Sequence, residues 1–205
     1  MLGAEEPRGR RAGGEWTRSG DRGTCPAGRA GPHRRARGPS MTRLHVPVSL
    51  RWSDLDAYAH VNNVEMFRLL EDARITAFWT HPDAGEDAWP TAVLETGPHA
   101  TSHTLVARQE IEYLRPLGFT RTPVRVELWI GHLGGASLEV CYEVHDGAAR
   151  FERTGPTSGG APYAKAATTI VVVDAATGSP RRISEAERAA WEPFVEEPLT
   201  FRRRR

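Results

Sequence analysis

The stretch of residues 51–74 constrains the fold more than any other part of the sequence, because it reads as the end of a strand, a polar loop and a helix in immediate succession. The loop carries two carboxylates, Asp54 and Asp56, and it ends in an Asn-Asn pair that is well suited to cap a helix. We expect this helix to begin at residue 63 or 64 and to end at about residue 79. A polar loop that leads into the positive end of a helix can bind a small anionic or polarised group.

The predicted helix is apolar around most of its circumference at 100° per residue, and its polar stripe covers only about a quarter of the wheel. Such a helix is surrounded by other parts of the protein rather than laid on a surface. Two charged residues, Glu71 and Arg74, fall inside the apolar arc and are three positions apart. We therefore expect them to form a buried, structural ion pair.

Apolar and alternating runs predict six strands besides this helix. They lie at about residues 44–50, 91–96, 105–114, 124–130, 138–144 and 163–173. A Gly/Ser/Pro-rich loop is predicted at 153–161, and Ser184 with Glu187 forms a capping box for a short helix that ends at about residue 191. Antiparallel hairpins with helices on one face indicate an α+β fold.

The chain divides by composition into three predicted segments. Residues 1–40 hold nine Arg and four acidic residues, a charge of +5 against +1 for the whole chain, and few apolar ones. We interpret them as a disordered basic extension, with Met41 as the functional beginning. Residues 41–195 form the folded domain, and residues 196–205 are expected to be a frayed basic tail. A nucleic-acid partner is not predicted, because Trp16 is the only aromatic residue among the basic ones.

Cysteine and histidine usage excludes several site classes. The two Cys residues form neither a disulfide framework nor a zinc motif. His99 and His103 are four apart but have no third ligand in the sequence around them, so no metal site is predicted. No apolar run approaches the length of a membrane span, and no signal peptide is recognisable. We expect a cytoplasmic protein without a membrane partner.

Three spaced groups of residues resemble a known family. They are Arg51-Trp52-Ser53-Asp54-Leu55-Asp56, His60-Val61-Asn62-Asn63 and Glu71-Asp72-Ala73-Arg74, and the later Tyr113-Leu114-Arg115-Pro116-Leu117 is also similar. Together they resemble the signature of hot-dog-fold acyl-CoA thioesterases of the 4-hydroxybenzoyl-CoA thioesterase class. The resemblance covers about residues 43–182. It implies an antiparallel sheet of about six strands wrapped around one long central helix, and dimers or tetramers with active sites at subunit interfaces.

The resemblance also implies which residues carry the chemistry. It places Asp56 at the family's catalytic carboxylate, as general base or nucleophile, two alternatives that the sequence leaves open. Glu71 is the alternative, a secondary or structural carboxylate, because some relatives place theirs on the central helix. Arg115 is a candidate contact for coenzyme A phosphates. One departure stands out, since the family usually has glycine just before the His-Val-Asn-Asn run, where this chain has Ala59. The resemblance implies that a side chain here crowds the approach to the thioester carbonyl.

Backbone N–H groups at the start of the helix would polarise the thioester carbonyl. The candidate oxyanion and substrate-binding residues are His60, Val61, Asn62 and Asn63. The chain is thus expected to hydrolyse an acyl-CoA to a free acid and CoA, without a cofactor or metal. Two alternatives remain open at this point, an acyl-carrier-protein thioesterase and a non-catalytic acyl-CoA-binding module.

Overall fold

The computed structural model describes residues 42–148, 152–157 and 159–202. The predicted basic extension and Met41 lie outside these residues. The described elements are strands β1 (Arg43–Val48), β2 (Ser102–Tyr113), β3 (Val124–Leu133), β4 (Ser137–His145), β5 (Thr154–Gly155) and β6 (Ala164–Asp174), helices α1 (Asn63–Phe78) and α2 (Glu185–Trp191), and short 3₁₀ turns at Trp52–Asp54, Gly85–Asp87 and Glu192–Phe194.

The six strands form one antiparallel sheet in the order β2-β6-β4-β3-β1-β5. The predicted α+β architecture, a sheet of six strands with one long helix, is confirmed. Helix α1 packs on one face of this sheet, and β2 forms one of its edges. The core between them is built from helix residues, including Leu70, Ala73 and Phe78, and from strand residues such as Leu128 and Ile170.

Helix α1 occupies the predicted residues, and Asn62 is its N-cap, accepting the N–H of Val64 through its side chain. The rest of the chain buries less of the helix surface than the wide apolar arc predicts. Val64 is 64% exposed and Ile75 is 45% exposed, although both fall in the predicted apolar arc. A single chain therefore leaves part of the apolar surface of α1 open to solvent.

One of the predicted strands is wrong. Residues 91–96 form no strand, and the only pairing there is an isolated parallel bridge between Leu94 and Trp79. The segment is apolar because it packs at the end of α1, where the hydroxyl of Thr91 donates to the carbonyl of Ala77 at 2.6 Å. The sixth strand is instead the two-residue β5, which lies in the stretch predicted as a loop and pairs with β1.

The predicted frayed tail also needs correction. Residues 196–202, here called the C-terminal strap, cross the sheet on the face opposite α1. Glu196 accepts two hydrogen bonds from Arg43, at 2.6 and 2.9 Å, and the carbonyl of Glu197 accepts the indole N–H of Trp129 at 3.0 Å. Leu199 and Phe201 pack against a buried cluster on this face, formed by Trp129, Cys141 and Ala167. The strap thereby covers the part of the outer face formed by Trp129, Cys141 and Ala167.

Within the residues that the structure describes, no helix combines the length and the apolar character needed to cross a membrane.

Candidate functional site

Asp54 is buried and stabilises the loop that precedes α1. Its side chain is buried, and Oδ2 accepts the backbone N–H of Arg51 at 2.6 Å. Its backbone carbonyl accepts the N–H of Asn62 at 2.8 Å, which ties the start of the loop to the helix cap. Because a buried carboxylate is costly unless its oxygens are hydrogen-bonded, these contacts make Asp54 a structural residue.

Asp56 is held differently. Its Oδ1 accepts two backbone N–H groups, from Tyr58 at 2.8 Å and from His60 at 3.1 Å. The backbone N–H of Asp56 in turn donates to the carbonyl of His60 at 2.8 Å. The side chain is partly exposed, and Oδ2 has no hydrogen-bond partner among the described residues. The loop therefore fixes one carboxylate oxygen and leaves the other available to react.

Ala59 lies at the turn that creates this arrangement. Its φ angle is 60°, and it is the sole non-glycine residue with positive φ in the described part of the chain. A side chain in this left-handed region costs roughly 1–2 kcal/mol, because Cβ approaches the following carbonyl oxygen. The glycine that the resembled family has at this position would avoid that cost. The loop thus keeps the turn while carrying strain.

The backbone N–H groups at the helix start are mostly engaged, which corrects the prediction made for them. The N–H of Val61 donates to the carbonyl of Leu117 at 2.8 Å, and that of Asn62 donates to Asp54. The His60 N–H is bound to Asp56, as described above. Among the predicted amides, Asn63 is left, and its N–H makes no hydrogen bond within the described residues. A carbonyl oxygen can therefore be polarised here by one amide at the helix N-terminus.

The sequence of the chain matches the model of one protein family over residues 50–199, which is most of its length and includes the whole loop and helix just described. That family is described as the thioesterase-like superfamily. The chain belongs to the thioesterase-like superfamily. No curated protein matches the sequence.

Solved structures of this superfamily share the fold. A thioesterase from Thermus thermophilus, complexed with coenzyme A and Zn, is 28% identical, with a TM-score of 0.52, covering 76% of this chain and 96% of that one. A predicted thioesterase from Bacillus stearothermophilus is 22% identical, with a TM-score of 0.55, covering 77% of this chain and 99% of that one. A thioesterase-superfamily protein from Jannaschia is 17% identical, with a TM-score of 0.54, covering 75% and 94% of the two chains. The predicted hot-dog fold and the prediction of a thioesterase are thereby confirmed.

Glu71, the predicted alternative to Asp56 as the catalytic carboxylate, is not buried. Its side chain is 55% exposed, whereas that of Arg74 is only 4% exposed, and the two lie 3.3 Å apart. Arg74 also donates to the buried hydroxyl of Tyr142 at 3.3 Å, while its Nε has no hydrogen-bond partner. The predicted ion pair is therefore present, but only Arg74 is buried, and the prediction that Glu71 is buried too is wrong.

Arg115 lies on a separate surface that is connected to the site through β2. The hydroxyl of Tyr113, the last residue of β2, donates to the backbone carbonyl of Asn63 at 3.1 Å. Two residues further on, the guanidinium of Arg115 stacks on the ring of Tyr163 at 3.4 Å from its centroid and binds Asp146 at 3.0 Å. The structure thus places Arg115 against Tyr163 and Asp146, outside the loop that holds Asp56.

A polar cluster that sequence reasoning missed lies on the outer face of the sheet. Glu127, Glu143 and His145 each place one ligand atom within 4.8 Å of the others, as in a metal site. Arg43, however, donates to Glu143 at 2.9 Å and lies 3.4 Å from Glu127, so a guanidinium already balances both carboxylates. In β3 and β4, alternate residues point to the same face of the sheet, which places Glu127, Glu143 and His145 together. This alternation is visible in the sequence and could have predicted the cluster. We interpret the cluster as structural.

Proposed function

We propose that this member of the superfamily is an acyl-CoA thioesterase in which Asp56 carries the hydrolysis. The observation behind the proposal is the asymmetry of the Asp56 carboxylate, whose Oδ1 accepts two loop amides while Oδ2 has no partner among the described residues. This carboxylate belongs to the loop that leads directly into the N-terminus of α1. A carboxylate fixed in this loop and an unbonded amide at the start of α1 would supply the two requirements of thioester hydrolysis, an activated nucleophile and a stabilised oxyanion.

Two routes fit this geometry. In one, Oδ2 takes a proton from water, and the hydroxide attacks the thioester carbonyl. In the other, Oδ2 attacks the carbonyl itself, the C–S bond breaks, and water then hydrolyses the acyl-aspartyl anhydride. In both, the carbonyl oxygen gains negative charge facing the N–H of Asn63, and CoA leaves as a thiolate that takes up a proton. Neither route requires a metal or an organic cofactor.

Coenzyme A is the proposed carrier because a relative 28% identical to this chain has been solved with coenzyme A. An acyl-carrier-protein thioester presents the same reacting group, so hydrolysis of one acyl group on both carriers separates the two substrates. A non-catalytic acyl-CoA-binding module is the second candidate. The strained turn at Ala59, where the resembled family has glycine, is the observation that speaks for this candidate. We further propose that the protein acts in the cytoplasm.

The active form is proposed to be a homodimer at least. Strand β2 is a sheet edge of 12 residues, and Leu105 and Val106 on it are 55% and 48% exposed. Around the catalytic loop, Tyr58 and Val64 are also exposed. Pairing of two β2 edges would cover unpaired backbone groups, which natural proteins rarely leave open. Light scattering at micromolar concentration should show a dimer or tetramer, whereas a stable, active monomer would exclude this assembly.

The direct test is a hydrolysis screen across acyl-CoAs, with release of the CoA thiol as the readout. Asp56→Asn preserves the shape of the side chain but removes the oxygen that could accept a proton or attack. We expect turnover to fall at least ~100-fold with little change in KM, since general-base contributions are of that order or larger. Near-normal turnover in Asp56→Asn would refute the assignment. A wild-type protein that binds acyl-CoAs but cleaves none would favour the binding module.

A further inference from the structure

We propose that a cleft lined by two arginines binds the nucleotide phosphates of the acyl-CoA, and that Arg125 makes this chain select CoA thioesters. The inference rests on the proposed acyl-CoA substrate and adds the part of the protein that recognises its carrier. The cleft has a volume of about 340 Å³. We call it the arginine cleft, and its lining residues are Arg115, Arg125, His145, Asp146, Gly159, Gly160 and Ala161.

Arg125 has hydrogen-bonding capacity that the described residues do not use. Its one ion pair among them is a 3.5 Å contact with Glu127, a carboxylate that is fully buried and also lies 3.4 Å from Arg43. The buried Nε of Arg125 makes this contact and has no hydrogen-bond partner, whereas the side chain as a whole is 21% exposed. The two Nη groups of Arg125 make no hydrogen bond to the described residues, so they can donate to an anion in the cleft. A guanidinium is well suited to the task, because its planar donors match phosphate oxygens in pairs.

Arg115 supplies the second positive charge, in a fixed orientation. Its guanidinium stacks on Tyr163, donates from Nε to the carbonyl of Ala161 at 3.2 Å, and binds Asp146 from Nη2. Asp146 is the one carboxylate that lines the cleft, and it is bound by Arg115 and by the hydroxyl of Tyr163 at 2.5 Å. These two donors hold the pKa of Asp146 below its usual value. The cleft therefore presents two guanidiniums, that of Arg115 paired with Asp146 and that of Arg125 lying 3.5 Å from Glu127.

A second cavity lies next to the arginine cleft, and some of its lining residues contact the catalytic loop. It has a volume of about 350 Å³, and it shares Asp146 with the cleft. At its other end it is lined by Leu117 and Gly118. Leu117 accepts the N–H of Val61, and Gly118 forms a β-bridge with His60. A substrate whose thioester lies at Asp56 could therefore extend its pantetheine arm through this cavity and place its phosphates between the two arginines.

This arrangement discriminates between carriers of the same acyl group. A thioester of pantetheine alone has no phosphate, and one of 3′-dephospho-CoA keeps the pyrophosphate but lacks the 3′-phosphate. If the arginine cleft holds phosphates, these shorter thioesters lose contacts far from the reacting carbonyl. Such contacts form equally in the ground state and the transition state, so their loss raises KM and leaves kcat unchanged.

The test compares wild-type protein with Arg125→Gln and Arg125→Lys on one acyl group carried by CoA, 3′-dephospho-CoA and pantetheine. Arg125→Gln should raise KM for the acyl-CoA about tenfold with kcat unchanged, and should leave the acyl-pantetheine reaction unaltered. Arg125→Lys, which keeps the charge without the paired donors, should give an intermediate KM. The dephospho substrate identifies the phosphate: loss of the Arg125→Gln effect on it assigns the 3′-phosphate, and persistence assigns the pyrophosphate.

Arg68→Gln is the matched control, because Arg68 is exposed on α1 and lies outside the cleft. It should match wild type on all three substrates. Binding of adenosine 3′,5′-bisphosphate by calorimetry gives a readout that needs no hydrolysis, and Arg125→Gln should weaken it about tenfold if the 3′-phosphate is the one bound. Failure of the proposed function would appear as no hydrolysis of any acyl-CoA by the wild type. The cleft itself would be refuted by an unchanged KM for acyl-CoA in Arg125→Gln, or by an equal rise on acyl-pantetheine.

Discussion

The side chain of Arg74, a residue of α1, is buried, while Glu71, its ion-pair partner 3.3 Å away on the same helix, is more than half exposed. An ion pair with one solvent-exposed partner contributes at most about 1 kcal/mol. Arg74 also keeps its contact with Tyr142 when Glu71 is removed. Removing Glu71 should therefore lower the free energy of unfolding much less than breaking a fully buried ion pair would.

Glu71→Ala should therefore lower the free energy of unfolding by less than ~1 kcal/mol and leave thioesterase activity nearly unchanged. Urea unfolding and the thiol-release assay, carried out on the same preparation, measure the two effects. Glu71→Gln serves as the control that keeps the side-chain volume. Loss of activity at wild-type stability would instead assign Glu71 as the catalytic carboxylate.

Asp54→Asn tests whether the two loop carboxylates have separate roles. Asp54 is buried and accepts the Arg51 N–H at 2.6 Å. In the Asn variant the amide oxygen can keep this bond, but the NH₂ group then takes the place of the other buried carboxylate oxygen. We expect a loss of about 1–3 kcal/mol in unfolding free energy, while the folded fraction retains turnover. Thermal melts and active-site concentration separate the two. A stable Asp54→Asn with no turnover would move the chemistry from Asp56 to Asp54.

Ala59→Gly should stabilise the protein by about 1 kcal/mol, because glycine adopts the left-handed φ of 60° without the Cβ contact. Urea unfolding of this variant provides the measurement. Ala59→Val is the opposite control, since a β-branched residue fits this region poorly and should destabilise the loop. Equal stability of all three proteins would show that the turn relaxes in solution.

Removal of residues 196–205 should destabilise the fold and uncover Cys141. Burial raises the pKa of the Cys141 thiol to about 11, so in the intact protein very little reactive thiolate exists at neutral pH. The truncated protein should lose about 2–4 kcal/mol of stability through exposure of the Trp129 cluster, and Cys141 should react faster with a thiol reagent. Unchanged stability and thiol reactivity would indicate that the strap is not docked in solution.

Residues 1–40 should be dispensable, because their composition cannot offset the entropy of ordering them. A variant beginning at Met41 should keep the melting temperature and the activity of the full chain. The control is the full-length protein purified in parallel. A large drop in either property would show that the extension packs or acts.

Regular patterns made most of the fold predictable. Helix α1 was placed within a residue of its observed end at Phe78, and β3 and β4 followed from strict alternation around Gly134-Gly135. The apolar segment at 91–96 misled because its residues face the end of α1 rather than a neighbouring strand, and a run of six residues cannot distinguish the two. Strand β5 has two residues and no periodicity of its own.

The candidate site was predictable in identity but not in geometry. The resemblance singled out Asp56, yet only the folded loop shows that Tyr58 and His60 occupy one of its oxygens. The amides of Val61 and Asn62 are engaged by Leu117 and Asp54. The contact with Leu117 depends on a segment more than 50 residues away, and a local pattern carries no information about it. The strap was missed for the same reason, since Leu199 and Phe201 look like isolated apolar residues in a basic tail.

The contacts between the C-terminal strap and the sheet can form only late in the synthesis of the protein. Arg43, the first residue of β1, binds Glu196, a residue 153 positions later. On a ribosome the chain emerges from its N-terminus, so β1, β3 and β4 are available long before the strap. Until residues 196–202 leave the exit tunnel, they cannot pack on Trp129 and Cys141, and Arg43 has only its partners within the sheet. The nascent sheet therefore carries an apolar patch that is covered once the strap docks.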